Sequence, residues 1–239
     1  MNLRNILITV FMLAIFSCKQ ADKQPCDNDY VKGINSLLSF QLDSANSQFE
    51  NSLKEDPQNV FAYYGRAEIA VLKGNDNEAI KYFDTAIKLD PSFVFAYYKR
   101  AYIYASTGQH AKAIADMNKV IDLKPDFDYA YYSRAVYKYA VRDINGAIND
   151  MTKMIALNPN YINAYYNRAS FYGAQKKYQF AINDLNKAIE LKTDYAAAYT
   201  WKGFYEYQLG QKENARRDFN KGKELGDITA NIYIAKYYK

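Results

Sequence analysis

The sequence predicts an all-α protein of six stacked helix-turn-helix units, and three observations predict this fold class. First, prolines recur every 34 residues, at Pro57, Pro91, Pro125 and Pro159. Second, an alanine recurs at the same step: Ala45, Ala79, Ala113, Ala147, Ala181 and Ala215. Third, the apolar residues inside each period follow helical spacing twice. Self-similarity at a fixed period of this length indicates a repeat architecture, in which single hairpins are too small to be stable alone.

The period from 94 to 127 shows how each hairpin is specified. Its first segment carries Tyr97, Ala101 and Tyr104 at i, i+4 and i+7, which is the spacing of one helix face. Thr107 and Gly108 then interrupt the pattern, and glycine is the residue that most often ends a helix. The second segment repeats the helical spacing with Ala113, Met117 and Val120. Pro125 ends it, because the residue before a proline is disfavoured in the helical region.

These columns of small, aromatic, alanine and proline residues at a 34-residue period resemble the tetratricopeptide repeat (TPR) family. The six periods are roughly 26–59, 60–93, 94–127, 128–161, 162–195 and 196–229. The resemblance implies a right-handed superhelical solenoid over 28–227 whose first helices line a groove for protein partners. Residues 228–239 are expected to form a capping helix, with Ile232, Ala235 and Tyr238 on its packed side.

The N-terminus predicts an exported protein. Arg4 precedes an apolar run from Ile6 to Phe16, which is too short to span a bilayer but typical of a signal peptide over 1–17. The run into Cys18 resembles the lipobox of bacterial lipoproteins. That resemblance implies lipidation of Cys18 and a tether over 18–27. An uncleaved signal anchor and a buried apolar helix are the alternatives. Lys19 at the next position favours, by the same resemblance, the outer membrane, facing either the periplasm or the outside.

The composition disfavours most enzyme classes. His110 is the one histidine and there are two cysteines, so multi-histidine metal sites, zinc cages and histidine-dependent triads lack their residues. No glycines have the spacing of a dinucleotide-binding or phosphate-binding loop. The net charge of +5 is spread along the chain without a basic stripe, which disfavours nucleic acid. We therefore expect no catalysis, no metal and no cofactor, and the oligomeric state stays open.

A column of basic residues pairs with a column of aspartates. Arg100 precedes the turn glycine Gly108 by as many residues as Asp116 follows it, so the two should meet when the hairpin closes. The predicted structural ion pairs are Arg100–Asp116, Arg134–Asp150, Arg168–Asp184 and Lys202–Asp218. In the second period Tyr82 stands where Asp would face Arg66, so that pair is lost.

A column of tyrosines is the predicted partner-binding surface. Its members are Tyr30, Tyr64, Tyr98, Tyr132 and Tyr166, with Phe61, Phe95, Tyr129, Tyr102 and Tyr139 on the same face. The TPR resemblance places this column in the groove, and tyrosine offers apolar area plus a hydroxyl group. The alternative is that the rings only pack against one another between adjacent helices. We therefore expect an envelope-anchored scaffold that binds a protein partner. The second hypothesis is a lipoprotein that binds a glycan of the cell wall, because tyrosine rings also stack on sugars.

Overall fold

The computed structural model describes residues 28–238. The predicted signal peptide, the lipidation site Cys18 and the whole tether lie outside these residues. Within them the chain forms thirteen α-helices and no strand. The helices are α1 Asn28–Leu38, α2 Leu42–Glu55, α3 Val60–Leu72, α4 Asp76–Leu89, α5 Val94–Ser106, α6 His110–Leu123, α7 Asp128–Ala140, α8 Ile144–Leu157, α9 Ile162–Ala174, α10 Tyr178–Leu191, α11 Ala196–Gln208, α12 Lys212–Glu224 and α13 Ile228–Tyr237. The predicted all-α fold of helical hairpins is confirmed.

The helices belong to two compact units that divide between Lys124 and Pro125. Unit 1 contains the hairpins α1–α2, α3–α4 and α5–α6. Unit 2 contains α7–α8, α9–α10 and α11–α12, followed by α13. In each hairpin we call the earlier helix the first helix and the later one the second helix. None of the helices in 28–238 combines the length and apolarity needed to cross a membrane.

Small residues let the helices of each hairpin approach closely. In unit 1, Phe49 of α2 lies between two glycines, and a Cβ atom built on Gly33 or Gly65 would stand 2.6 or 2.5 Å from its ring. The repeated alanines of the second helices, such as Ala79 and Ala181, have no exposed surface. Large apolar residues fill the remaining space. In unit 2 they include Met151, Leu185 and Phe219, each at most 1% exposed.

The turn inside each hairpin contains one residue with positive φ. Gly108 adopts a φ of +76° there, which confirms the helix break predicted at this point. Arg142 and Lys176 stand one and two periods later and adopt φ values of +67° and +58°. The geometry of the turn is therefore kept even where the sequence has no glycine to favour it.

The last helix, α13, packs on α12 through a different side from the predicted one. Ala230 is fully buried, and the rings of Tyr233 and Tyr237 lie 5.3 and 6.3 Å from Phe219. Ile228 and Ile232 are 79% and 64% exposed. The prediction is wrong for Ile232 and Ala235, which are exposed, because residues 230, 233 and 237 share the helix face that reaches α12. Tyr238 does pack as predicted, with its ring 6.3 Å from that of Phe219.

Candidate functional site

The four predicted ion pairs form within their hairpins. Three of them are bidentate: the arginine Nε and Nη2 atoms donate to both oxygens of Asp116, Asp150 and Asp184 at 2.6–2.8 Å. Lys202 Nζ lies 2.8 Å from Asp218 Oδ2. All four aspartates are 4–6% exposed. Buried, doubly hydrogen-bonded pairs of this kind hold geometry, so these residues have a structural role.

Three arginines of this column, Arg66, Arg100 and Arg168, also contact the preceding hairpin of their unit. Arg66 Nη2 lies 3.0 Å from Glu50, and Arg168 Nη1 donates to Thr152 Oγ1 at 3.0 Å. Arg100 likewise bonds both Asp116 and Asp84. Sequence reasoning missed this second contact, although an acidic or hydroxyl residue precedes each of these arginines by 16 positions. The guanidinium of Arg66 also lies 4.6 Å from the ring centroid of Tyr82, which replaces the missing aspartate with a cation–π contact.

Two of the predicted partner-binding tyrosines belong to the core of unit 1. Tyr30 and Tyr64 are each 1% exposed. The Tyr30 ring lies 6.0 Å from that of Phe49, and the Tyr64 ring lies 5.3 Å from that of Phe93. The prediction that Tyr30 and Tyr64 line an open surface is therefore wrong. The physical reason is that bulky apolar rings, including Phe93 ahead of α5, cover the column here, as the packing alternative expected.

A buried ion pair lies beside Tyr64 and was not predicted. Glu68 Oε2 of α3 accepts a hydrogen bond of 3.0 Å from Lys99 Nζ of α5, and the two side chains are 4% and 14% exposed. Burial and the adjacent Glu68 carboxylate raise the pKa of Tyr64 well above its usual value. The pair neutralises the charges on this side of the first helices of unit 1.

The other predicted residues of unit 1 differ in exposure. Phe61 and Phe95 are partly buried, and their rings lie 5.4 and 6.3 Å from that of Phe93. Tyr98 is also partly buried. Tyr102 is 63% exposed, so it is the ring of this predicted set that is most accessible to a partner.

In unit 2 the predicted tyrosines are partly buried and held in place by neighbouring rings. Tyr129 and Tyr132 meet Tyr161 edge to face at 5.5 and 5.4 Å. Asn167 Nδ2 donates to the hydroxyl group of Tyr132 at 2.9 Å. Burial raises the pKa of Tyr132 and of Tyr166. Each ring is therefore fixed on one side and open on the other.

The remaining two predicted rings of unit 2 are fixed in the same way. Tyr139 stacks on Phe171 with the ring centroids 4.5 Å apart. The Tyr166 ring lies 5.2 Å from that of Tyr195, and Tyr166 and Trp201 line the same cleft. These rings are packed on neighbouring rings and are also partly exposed. Packing between adjacent helices and binding of a partner are therefore compatible roles for this column.

A small cleft lies between α9 and α11 beside Tyr166. Its lining residues are Tyr166, Ala169, Ser170, Leu185, Trp201 and Tyr205. Trp201 is the one tryptophan of the sequence, and sequence reasoning did not assign it to the site. Its position in the sequence could have assigned it to the site, because Trp201 directly follows Thr200, where the tyrosine column ends. We define the open face of unit 2 by six residues: Tyr132, Val136, Tyr166, Asn167, Ser170 and Trp201.

The described residues bring together no set of three His, Cys, Asp or Glu side chains able to hold a metal ion. The site of interest is therefore a surface of rings, hydroxyl groups and amides. It stands on first helices that are fixed to their second helices by the buried ion pairs.

Comparison with known proteins identifies the repeats. The TPR repeat family model matches residues 69–108, and the tetratricopeptide repeat model matches 96–127 and 162–195. No curated protein sequence matches the chain. A crystal structure of MamA protein is similar with a TM-score of 0.67 and 26% identity, covering 75% of this chain and 96% of MamA.

Two further solved structures share the fold. YrrB, described as a TPR protein with an unusual peptide-binding site, has a TM-score of 0.71 and 17% identity, covering 79% of this chain and 97% of YrrB. Pseudomonas aeruginosa pilF has a TM-score of 0.70 and 13% identity, covering 87% of this chain and 96% of pilF. Residues 69–127 and 162–195 of this chain therefore match tetratricopeptide repeats, and the described helical hairpins share the fold of TPR proteins.

Proposed function

We propose that this protein is a scaffold that binds a protein partner through the exposed aromatic residues of its first helices. We further propose that a lipid on Cys18 anchors it to a bacterial outer membrane. The TPR fold suggests a role in protein–protein interaction, and YrrB shows that a protein of this fold binds peptide. The observation that carries the proposal is the open face of unit 2, where rings fixed on one side remain accessible on the other.

The packing of these rings favours binding. Side chains that are already ordered lose little conformational freedom when a partner arrives, so more of the contact energy appears as affinity. Tyr132 is held by Tyr161 and Asn167, and Tyr166 packs against Tyr195 and lines a cleft with Trp201. Both rings offer apolar surface and a hydroxyl group, a combination common at binding interfaces.

Binding is a better-supported role than catalysis. A general acid or base needs a carboxyl or imidazole group placed next to a substrate. The buried aspartates at 116, 150, 184 and 218 instead contact arginine or lysine within their own hairpins. Acylation of Cys18 would supply the anchor, since each buried CH₂ group contributes about 0.8 kcal/mol to membrane attachment.

The test is capture of a partner from the native envelope with the full-length lipidated protein. We expect the Tyr132→Ala/Tyr166→Ala variant to lose capture while its helical circular dichroism is retained. Tyr102→Ala adds a variant that cannot disturb the core, because the ring is 63% exposed, and we expect it to weaken capture. Phe180→Ala, which removes a 58% exposed ring on α10, is the matched control and should capture normally.

Two outcomes would contradict the scaffold proposal. One is full capture by the folded double variant. The other is recovery of a polysaccharide without a protein, which would favour the glycan hypothesis. The anchor is tested separately by Cys18→Ser, which should release the protein from the membrane fraction, and continued membrane attachment would refute lipidation at this site.

A further inference from the structure

Charged residues on the first helices of unit 2 are almost all directed to one side. Helices α7, α9 and α11 contain six charged residues: Asp128, Arg134, Lys138, Arg168, Lys202 and Glu206. Five of the six lie against the aspartate of their own second helix. Arg134 and Lys138 both contact Asp150, at 2.6 and 2.9 Å, and the other three contact Asp184 or Asp218.

The sixth charged residue, Asp128, stands at the first position of α7. Its Oδ2 atom accepts a hydrogen bond of 3.1 Å from Asn158, and its Oδ1 atom accepts one from the backbone N–H of Tyr129. It therefore serves the start of the helix. The side of the first helices that faces away from the second helices carries rings, hydroxyl groups and amides without a formal charge.

The open face of unit 2 lies on the uncharged side of the first helices. Each of its six defining residues is uncharged, and so is every residue that lines the cleft between α9 and α11. Ser170 lies at the edge of the cleft and is exposed. In unit 1 the corresponding side contains Glu68 and Lys99. Their charges neutralise each other, because Lys99 Nζ lies 3.0 Å from Glu68 Oε2.

We infer that the open face of unit 2 binds an uncharged segment of polypeptide. The inference rests on the proposed scaffold function and names the chemistry of the partner. A charged side chain placed against these rings would lose water, and that desolvation is costly. The nearby carboxylate of Asp227, which acts on Tyr166, already accepts a hydrogen bond from the backbone N–H of Thr229 at the start of α13. Hydroxyl and amide groups at Tyr132, Asn167 and Ser170 instead suit the backbone and uncharged side chains of a partner.

The inference predicts how binding responds to salt. Attraction between opposite charges weakens as ionic strength rises, because the Debye length falls from about 10 Å at 0.1 M to about 3 Å at 1 M. Contact between uncharged groups lacks this dependence. A lysine-rich or arginine-rich partner held by cation–π contacts is the main rival, and it would enrich basic residues in the bound sequences.

The experiment selects 12-residue peptides from a random phage-displayed library on the full-length protein in detergent micelles. We expect the selected sequences to contain less than half the library frequency of Lys, Arg, Asp and Glu. Synthetic copies are then titrated by following the fluorescence of Trp201, which is the one tryptophan of the chain and lies in the cleft. Their Kd should change by less than twofold between 50 and 500 mM NaCl.

Charge substitutions at Ser170 give the sharper test. Ser170→Lys and Ser170→Glu should each weaken peptide binding by tenfold or more, because either charge disfavours an uncharged partner. Asn186→Lys and Asn186→Glu are the matched controls. They place the same charges at an exposed position of the second helix α10 and should leave the Kd within twofold.

Several results would overturn the inference. These are enrichment of charged peptides, opposite effects of the two Ser170 variants, unchanged binding in both, or selection of no peptide. Failure of the scaffold proposal is distinguishable from these results. Capture of a native partner together with charged peptides would refute this inference alone. Uncharged peptides without any captured native protein would refute the scaffold function alone.

Discussion

Replacing Glu206 by glutamine is expected to remove a pH dependence from the stability of the α11–α12 hairpin. Glu206 and Asp218 are 3% and 4% exposed. Lys202 Nζ lies 2.8 Å from Asp218 Oδ2 and 3.8 Å from Glu206 Oε1, so two buried carboxyl groups share one close ammonium group. In the α7–α8 hairpin the position of Glu206 is held by Lys138, whose Nζ lies 2.9 Å from Asp150.

Burial, followed by the charge of Asp218 and a hydrogen bond with it, raises the pKa of Glu206 from 4.5 to about 7. Below pH 4.5 the carboxyl group is protonated in both the folded and the unfolded chain. As the pH rises from 4.5 to 7, the unfolded chain releases this proton and the folded chain retains it. The free energy of unfolding therefore falls across this window, by up to ~3 kcal/mol, and the loss is complete above pH 7.

Urea unfolding between pH 5 and pH 8 measures this effect, with Trp201 fluorescence as a local reporter because Trp201 lies on α11. The wild-type protein should lose stability toward pH 8, and Glu206→Gln should lose much less. Glu206→Lys reproduces the Lys138–Asp150 arrangement and should be more stable than the wild type at pH 8. Glu213→Gln removes an exposed carboxylate from α12 and is the control.

The comparison can refute the reasoning directly. If wild type and Glu206→Gln show the same change in free energy of unfolding between pH 5 and pH 8, Glu206 is already ionised in the folded protein. Lys202 would then neutralise both carboxylates. A response of Glu213→Gln equal to that of Glu206→Gln would show a general effect of net charge.

Three further changes test the packing by urea unfolding followed by circular dichroism. Asp116→Asn should cost about 2 kcal/mol, because the buried Arg100 loses one of its two carboxylate partners and keeps only Asp84, and an unchanged midpoint would contradict a stabilising pair. Gly65→Ala should destabilise by about 1–3 kcal/mol, since its Cβ would stand 2.5 Å from the ring of Phe49. Tyr131→Phe should cost about 1 kcal/mol by removing the hydrogen bond of 3.1 Å from its hydroxyl group to the Pro125 carbonyl, and equal stability would show that water replaces this bond.

The hairpins and their ion pairs were predictable because they depend on local sequence and simple geometry. Each turn fixes which residues of two antiparallel helices lie opposite each other. Residues equally distant from the turn, such as Arg100 and Asp116, therefore meet. The contact of Arg168 with Thr152 joins adjacent hairpins and depends on how they stack, which the spacing inside one period does not specify.

The environment of the tyrosine column could not be predicted from its regular spacing. Tyr64 and Tyr166 occupy the same position in their hairpins, but Tyr64 is 1% exposed and Tyr166 is only partly buried. The difference arises from the surrounding residues: Tyr64 packs against Phe83 and Phe93, whereas Tyr166 borders the cleft beside Ser170. Exposure is a property of the neighbours in space, so a repeated residue does not imply a repeated role.

The variable column that follows these tyrosines shows how repeated hairpins acquire different surfaces. It holds Gly65, Lys99, Ser133, Asn167 and Trp201 in successive first helices. Lys99 reaches Glu68 of the preceding first helix, Asn167 reaches the hydroxyl group of Tyr132, and Trp201 lines the cleft beside Tyr166. Because these side chains contact the neighbouring first helix, a change among them alters the binding surface while the buried alanines and ion pairs keep the hairpins closed. The specificity of the scaffold is therefore expected to reside in the residues that differ between repeats, and its stability in those that recur.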